Sequence, residues 1–189
     1  MLNQTFFQKI KDQFQEAEKE RMEIQKFSSQ ALHSAKRAIF AFHRDDNKGG
    51  AALLAESLAD IKNAAKAGER GALMTEGIFK AALEEYSEAE LFRQFLAREK
   101  IGAVKGIEVN LETYLGGLTD LVGEILRFAI RQATDRRFDE VKRAQKAIDE
   151  IMAELIELNL TGYLRTKYDQ AKQARRKLEQ MAYEISLRK

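Results

Sequence analysis

The sequence contains no proline, no cysteine and no tryptophan, and only two histidines among its 189 residues. The absence of proline, together with the scarcity of alternating strand-favouring residues, predicts an all-α protein. Without cysteine, disulfides and thiolate metal sites are excluded. No apolar run is long enough to span a membrane, and the N-terminus lacks the apolar core of a signal peptide. We therefore expect a cytoplasmic protein that has no membrane partner.

The length and composition favour one domain over residues 1–189 that is large enough to bury a hydrophobic core. Hydrophobic residues make up 44% of the chain and charged residues 33%, which is typical of a globular protein and argues against disorder. The net charge of +2 is small. The positions of the charges are therefore more informative than their sum.

Apolar residues recur at steps of three and four along most of the chain, which predicts a single-domain bundle of about six to seven helices. The first helix, from about Asn3 to Arg44, would be about 60 Å long, and a protruding helix of that kind usually packs against a partner. The segment Asp45 to Gly50 reads as a turn. Thr134 or Asp135 is expected to cap a later helix. The other helices are predicted over residues 51–67, 73–98, 111–132, from that cap to 158, and 163–187.

One predicted helix carries two carboxylates beside glycines. Asp120 and Glu124 lie four residues apart, a like-charge spacing that costs an isolated helix roughly 0.2–0.5 kcal/mol. Gly116, Gly117 and Gly123 flank them, and each glycine costs about 0.5–1 kcal/mol relative to alanine. A plain solvated face would avoid both costs. This pattern favours the close approach of another helix or of a ligand.

A second carboxylate pair, Glu85 and Glu88, lies on the preceding helix at a spacing that lets both side chains point the same way. If the two helices pack antiparallel, these residues can face Asp120 and Glu124. Four carboxylates in one pocket would repel each other unless a cation bound them, and Mg²⁺ or Mn²⁺ prefers such ligands. Such ions can activate water and stabilise a phosphodiester during cleavage. The alternative is that Glu85 and Glu88 belong to an ordinary solvated helix face.

Basic residues cluster near these acids, which suits a ligand with a phosphate backbone. For any single one of them, a solvated charge paired with a nearby glutamate is the alternative. A di-iron bundle is excluded because neither histidine follows a glutamate by three residues. No nucleophile elbow or phosphate-binding glycine loop is present either. The candidate RNA-binding residues are Lys36, Arg37, Arg44, Arg127 and Arg131, and further basic residues follow at Arg136, Arg137, Lys142, Arg143 and Lys146.

Several segments resemble one family, the translin and TRAX (translin-associated factor X) proteins. Arg37-Ala-Ile-Phe-Ala-Phe-His-Arg44 is similar to the end of the TRAX first helix. The segments that hold the two carboxylate pairs, Leu83 to Ala89 and Tyr114 to Arg127, are similar to those that hold the TRAX catalytic acids. Residues 164–188 resemble the C-terminal helix of the family. The similarity spans nearly the whole chain.

This resemblance implies an α-helical protomer that assembles into a closed octameric shell. It also implies Mg²⁺-dependent endoribonuclease activity, with Mn²⁺ as a second candidate ion, on single-stranded RNA inside the shell. Glu85, Glu88, Asp120 and Glu124 would bind the metal and activate water. Translin itself binds RNA without cleaving it and lacks much of this acidic set, so the chain looks like a TRAX-like, catalytic member. The connection after the third helix lacks the longer insertion of the eukaryotic subunit, which suggests a simpler homo-oligomer, as in prokaryotic relatives.

Two other interpretations stay open. The chain could form a catalytically silent shell that binds single-stranded RNA or DNA, as translin does. It could also be a nucleoside triphosphate pyrophosphohydrolase of the MazG type, which uses paired helical acids to bind Mg²⁺. That family resembles Glu-x-x-Glu followed by Glu-x-x-Asp, whereas Asp120 and Glu124 are spaced by four.

Overall fold

The computed structural model describes residues 1–68 and 77–187, and within these ranges the chain forms six α-helices and no strand. The all-α prediction is confirmed. None of the described helices combines the length and the hydropathy that a membrane crossing requires. The helices are α1 (Gln4–His43), α2 (Asn47–Ala67), α3 (Gly77–Leu96), α4 (Leu111–Thr134), α5 (Phe138–Ile156) and α6 (Gly162–Ser186).

Helix α1 agrees closely with its prediction. It begins after Asn3, whose side chain accepts a hydrogen bond from the Phe6 amide at 3.1 Å, and its C-cap is Arg44. Asn110 caps α4 in the same way, because its side chain accepts a hydrogen bond from the Thr113 amide at 2.8 Å. The predicted start of the third helix at Leu73 lies outside the described residues.

The predicted turn from Asp45 to Gly50 is wrong in its second half. The side chain of Asp46 accepts a hydrogen bond from the Gly49 amide at 2.9 Å, so α2 already begins at Asn47. Gly50 is buried inside this first part of the helix, and a Cβ atom there would lie 2.4 Å from Cε1 of Phe42. This glycine therefore allows α1 and α2 to pack closely; it does not form a turn.

The predicted cap at Thr134 or Asp135 is also wrong. Thr134 is the last residue of α4 and Asp135 is its C-cap, while the residue before α5 is Arg137, whose side chain makes no capping hydrogen bond. The chain turns at Arg136, whose φ is 59°. The Arg136 amide donates to Ala133 O at 3.0 Å, and the next amide donates to Gln132 O at 2.8 Å. These two bonds form a Schellman motif with a non-glycine residue in the left-handed position.

Contacts between residues divide the chain into two compact units, Met1–Tyr86 and Ser87–Lys189. The boundary falls inside α3 and not in a linker, and the prediction of one domain stays a prediction. In the first unit, α1 packs on α2 through small buried residues. The Ser57 hydroxyl of α2 donates to the Ala31 carbonyl of α1 at 2.8 Å. The buried small residues of α1 are Ser28, Ala31, Ser34, Ala35, Ala38 and Ala41.

In the second unit, α4 packs against both α5 and α6, and α5 also contacts α6. The core of this unit is formed by one apolar face of each helix. The pattern follows the helical period that the sequence predicted. The buried residues are Leu121, Val122, Ile125 and Ala129 on α4, Val141, Ala144, Ile148, Ile151 and Leu155 on α5, and Ala171, Ala174 and Leu178 on α6.

A charged network holds the connection between α3 and α4. Arg93 donates to Glu90 at 2.8 Å and to Glu99 at 2.8 Å, and the Lys105 ammonium donates to Glu99 at 2.7 Å. Gln94 donates to the Ala103 carbonyl at 3.0 Å. The hydrogen bonds from Arg93 and then from Lys105 hold the pKa of Glu99 at about 2, below its ordinary value of 4.5.

We expect Gly50→Ala to destabilise the protein by about 1–3 kcal/mol, because the added methyl group would clash with the Phe42 ring, which is itself buried. Gly123→Ala is the matched control in α4, where a Cβ atom would meet none of the other side chains that the structure describes within 4 Å. That substitution should stabilise the helix by about 0.5–1 kcal/mol. Urea unfolding of both variants measures the difference, and equal effects would contradict this account of Gly50.

We expect Glu99→Gln to weaken the dependence of the unfolding free energy on pH in the acidic range. A carboxyl group with a lowered folded-state pKa stabilises the protein above its unfolded pKa, and this contribution disappears as pH falls from 4.5 through about 2. The variant should therefore lose less unfolding free energy than the wild type over that window. Glu108→Gln, at an exposed position of the same connection, is the control for the removal of one carboxylate. Parallel curves for Glu99→Gln and wild type would refute the prediction.

Candidate functional site

A pocket of about 240 Å³ opens in the second unit between side chains of α3, α4 and α6. Three of the four predicted acids line it. Helix α3 contributes Glu88, and α4 contributes Asp120 and Glu124. The remaining lining residues are Thr119, Gly123, Lys167, Gln170, Ala171 and Ala174.

The position of the two α4 carboxylates follows from the packing of this helix. Leu121 and Ile125 are fully buried, which places the residues before them, Asp120 and Glu124, on the flank of α4. Their side chains are 30% and 22% exposed. Gly123 is exposed, and among the described residues no heavy atom beyond its own stretch of helix lies within 4 Å of where its Cβ would be. The space at Gly123 is therefore open to a ligand, and this glycine is not explained by the close approach of another helix in the described residues.

The pocket contains a cation of its own. The Lys167 ammonium of α6 forms an ion pair with Asp120, and only 12% of the Lys167 side chain is exposed. Its nitrogen also lies 5.1 Å from the centroid of the Tyr163 ring. On the other side, Arg127 lies 3.7 Å from Glu124. Local sequence patterns do not reveal the pairing of Lys167 with Asp120, although the spacing of four from both Tyr163 and Ala171 places Lys167 on one face of α6.

The carboxylates are suitable donors for Mg²⁺ or Mn²⁺, but they do not form a complete cage. Within residues 1–68 and 77–187, no three histidine, aspartate or glutamate side chains lie close enough together to hold one ion. Mg²⁺ commonly keeps several waters and binds through one or two carboxylates plus the phosphates of a substrate. Asp120 and Glu124 fit that partial role in type and position.

Glu85 belongs to the first unit, where its carboxylate lies 3.8 Å from the Lys36 ammonium of α1. It precedes Glu88 by three residues on α3, as the sequence predicted. The convergence of Glu85 with Asp120 and Glu124 stays a prediction.

A model of the Translin family matches residues 19–189. The chain belongs to the Translin family. It is 29% identical to Translin from Gallus gallus over 120 residues, which cover 59% of this chain and 51% of that protein. Translin from Homo sapiens is 28% identical over the same length and coverage. The chain thus aligns with about half the length of these curated relatives.

Solved structures show the same fold. The crystal structure of AfC3PO superposes with a TM-score of 0.88 at 19% identity, covering 97% of this chain and 98% of that one. The crystal structure of apo-NeC3PO gives a TM-score of 0.86 at 23% identity, covering 97% of both chains. The structure of a complex of AfC3PO with duplex RNA superposes with a TM-score of 0.86 at 19% identity, covering 97% of each chain. The all-α fold of this Translin family member is therefore shared with these proteins.

The predicted RNA-binding residues are mostly accessible. Lys36 and Arg37 are exposed on α1, and Arg44 is exposed with its guanidinium 5.7 Å from the Phe40 ring. In the second unit Arg127 is exposed and Arg131 is half-buried. Whether they touch RNA stays a prediction.

Arg143, one of the further basic residues, has a structural role. Its guanidinium lies 4.1 Å from the Phe95 ring centroid and 5.3 Å from that of Phe128. It also donates to the Phe95 carbonyl at 2.9 Å and to Glu140 at 2.8 Å. These contacts join α5 to α3 and α4 and use the side chain for packing.

A second and larger cleft, of about 800 Å³, was not predicted from the sequence. Its walls include the apolar residues Leu115, Leu118 and Leu155. The Tyr114 hydroxyl donates to the Gly102 carbonyl at 3.1 Å, and burial raises the pKa of this phenol. The acidic pocket, by contrast, combines carboxylates with cations and is the better candidate for phosphate chemistry.

Proposed function

We propose that this Translin family protein is an endoribonuclease that uses Mg²⁺, or Mn²⁺ in its place, to cleave single-stranded RNA. The observation that carries the proposal is the pocket lined by Glu88, Asp120 and Glu124. Carboxylates that line one opening are suited to a hard divalent cation that keeps waters and substrate phosphates as its other ligands. Arg127 and Arg131, on the same helix as Asp120 and Glu124, are suited to a phosphate backbone.

Each group has a defined task in this proposal. When bound, Mg²⁺ acts as a Lewis acid and lowers the pKa of a coordinated water. Asp120 and Glu124 supply carboxylate oxygens from the flank of α4. Glu88 is 8% exposed and lines the same pocket from α3. Glu85 is proposed as the fourth acid on the strength of the family resemblance.

RNA is proposed as the ligand on two grounds. The candidate contact residues Lys36, Arg37, Arg44, Arg127 and Arg131 are accessible or partly accessible cations. One similar structure is a complex of AfC3PO with duplex RNA. Single-stranded DNA is a further candidate, because phosphate contacts alone do not distinguish the two polymers.

We propose that the chain forms a homo-oligomer, an octamer by the family resemblance. The first part of α1 exposes Phe6, Phe7, Ile10 and Phe14, with exposed fractions of 40–65%. Clustered exposed apolar side chains of this kind are typical of protein interfaces. Light scattering tests the proposal, and a protomer mass would disprove it.

The second candidate is a non-catalytic nucleic-acid-binding protein. It is favoured by the curated relatives, which are named Translin, and by the lack of three converging metal ligands among the described residues. In that case the acids serve as partners of Lys167 and Arg127. The match to the Translin family gives no support to a pyrophosphohydrolase of the MazG type.

We expect metal-dependent cleavage of a labelled single-stranded RNA that EDTA abolishes. Asp120→Asn and Glu124→Gln keep the size of each side chain and should lower the rate at least about 100-fold, because a metal contributes several kcal/mol to the transition state. Glu85→Gln in the same assay tests whether that residue joins the site. Glu108→Gln is the control. RNA binding without cleavage under either ion would support the non-catalytic alternative.

We expect Lys36→Gln and Arg127→Gln to weaken RNA binding and to reduce its salt dependence. Each lost phosphate contact should lower the slope of log K against log salt by about 0.7 for single strands. Arg175→Gln removes a cation that pairs with Asp149 outside the proposed set and should leave the slope unchanged. Equal slopes for all three variants and the wild type would exclude Lys36 and Arg127 as contacts.

A further inference from the structure

Lys167 lines the acidic pocket and pairs with one of the carboxylates that the proposed metal site would use. Its ammonium is paired with Asp120, and its side chain is nearly buried. Asp120, which lines the pocket, accepts a hydrogen bond from this ammonium. A divalent ion that binds Asp120 would therefore lie within a few ångströms of a positive charge.

The electrostatic consequence is direct competition. A partly buried ion pair is screened less than one in bulk water, so an ammonium at Asp120 strongly opposes a second cation there. The ammonium also neutralises part of the carboxylate charge that would otherwise favour metal binding. The acids thus have an internal counter-ion in the absence of metal.

The pocket leaves open space near the ion pair of Lys167 and Asp120. Lysine has a flexible four-carbon stem with a strongly hydrated point charge. Beside Asp120 and Glu124, the space over Gly123 is open, and the Tyr163 ring lies 5.1 Å from the ammonium. A phosphate that enters this opening together with an ion can pair with the ammonium that the ion displaces.

We propose that Lys167 is a tethered cation that competes with the divalent ion for Asp120, and that a substrate phosphate relieves this competition by pairing with the released ammonium. The inference rests on the proposed function, because it assumes that the pocket binds a metal. Lys167 is a positioning residue in this scheme: it makes metal binding depend on RNA. Binding of the ion and of RNA is then coupled, each strengthening the other.

The test is a titration with Mn²⁺, followed by electron paramagnetic resonance, with and without a short 2′-O-methyl oligoribonucleotide that is verified to stay intact. Lys167→Met removes the ammonium, and it should bind Mn²⁺ without RNA at least about tenfold more tightly than the wild type. The oligonucleotide should tighten Mn²⁺ binding to the wild type and have little effect on the variant. Lys167→Arg retains the charge and should bind Mn²⁺ as weakly as the wild type.

Arg175→Met is the matched control, since it removes another cation of α6 that pairs with α5, at Asp149. It should leave Mn²⁺ binding unchanged. Circular dichroism and light scattering confirm that each variant is folded, and Lys167→Gln replaces Lys167→Met if the latter is not.

The outcomes separate the inference from the proposed function. If Lys167→Met binds Mn²⁺ no more tightly than the wild type, or if RNA strengthens both equally, Lys167 is only a structural partner of Asp120. If no variant binds Mn²⁺ with or without RNA, the proposed metal site fails and the inference fails with it.

Discussion

Helix α4 must bury one face against α5 and α6 and still keep two carboxylates open on its flank. Leu121 and Ile125 are fully buried in that core, and each directly follows one of the acids. Any rotation of α4 would therefore move Asp120 and Glu124 and disturb the core at the same time. The pocket is positioned by the same apolar contacts that hold the second unit together.

Charge compensation is the second constraint, because carboxylates that share a pocket destabilise each other and the fold. Here Lys167 pairs with Asp120 and Arg127 lies near Glu124, so positive charge comes from α6 and from α4 itself. Such compensation stabilises the protein in the absence of a ligand. It also reduces the affinity of the pocket for a cation, which is the usual conflict between stability and function at charged sites.

Helical periodicity was sufficient to predict five of the six helices from one end to the other within a few residues. Local spacing was sufficient to place Asp120 and Glu124 on one side of α4, where both line the pocket. The errors arose at residues whose conformation or partners are set by tertiary contacts. Gly50 was predicted as a turn residue, because a local sequence pattern does not show that the Phe42 ring packs against it. Arg136 follows the end of α4 with a positive φ, a backbone conformation that is usually found at glycine. The pairing of Lys167 with Asp120 was missed because the two lie 47 residues apart in the chain.

RNA binding and RNA cleavage place different demands on the same pocket. Binding requires only accessible cations, and several are present on both units. Cleavage requires carboxylates within bonding distance of one ion, and no three of the described acids or histidines are that close. An ion that arrives with a phosphate needs only one or two carboxylates, because the phosphate supplies the remaining charge and ligands. In our proposal, the feature that separates a binding protein from a nuclease is therefore the competition between Lys167 and the divalent ion for Asp120, which an incoming phosphate relieves by pairing with the ammonium.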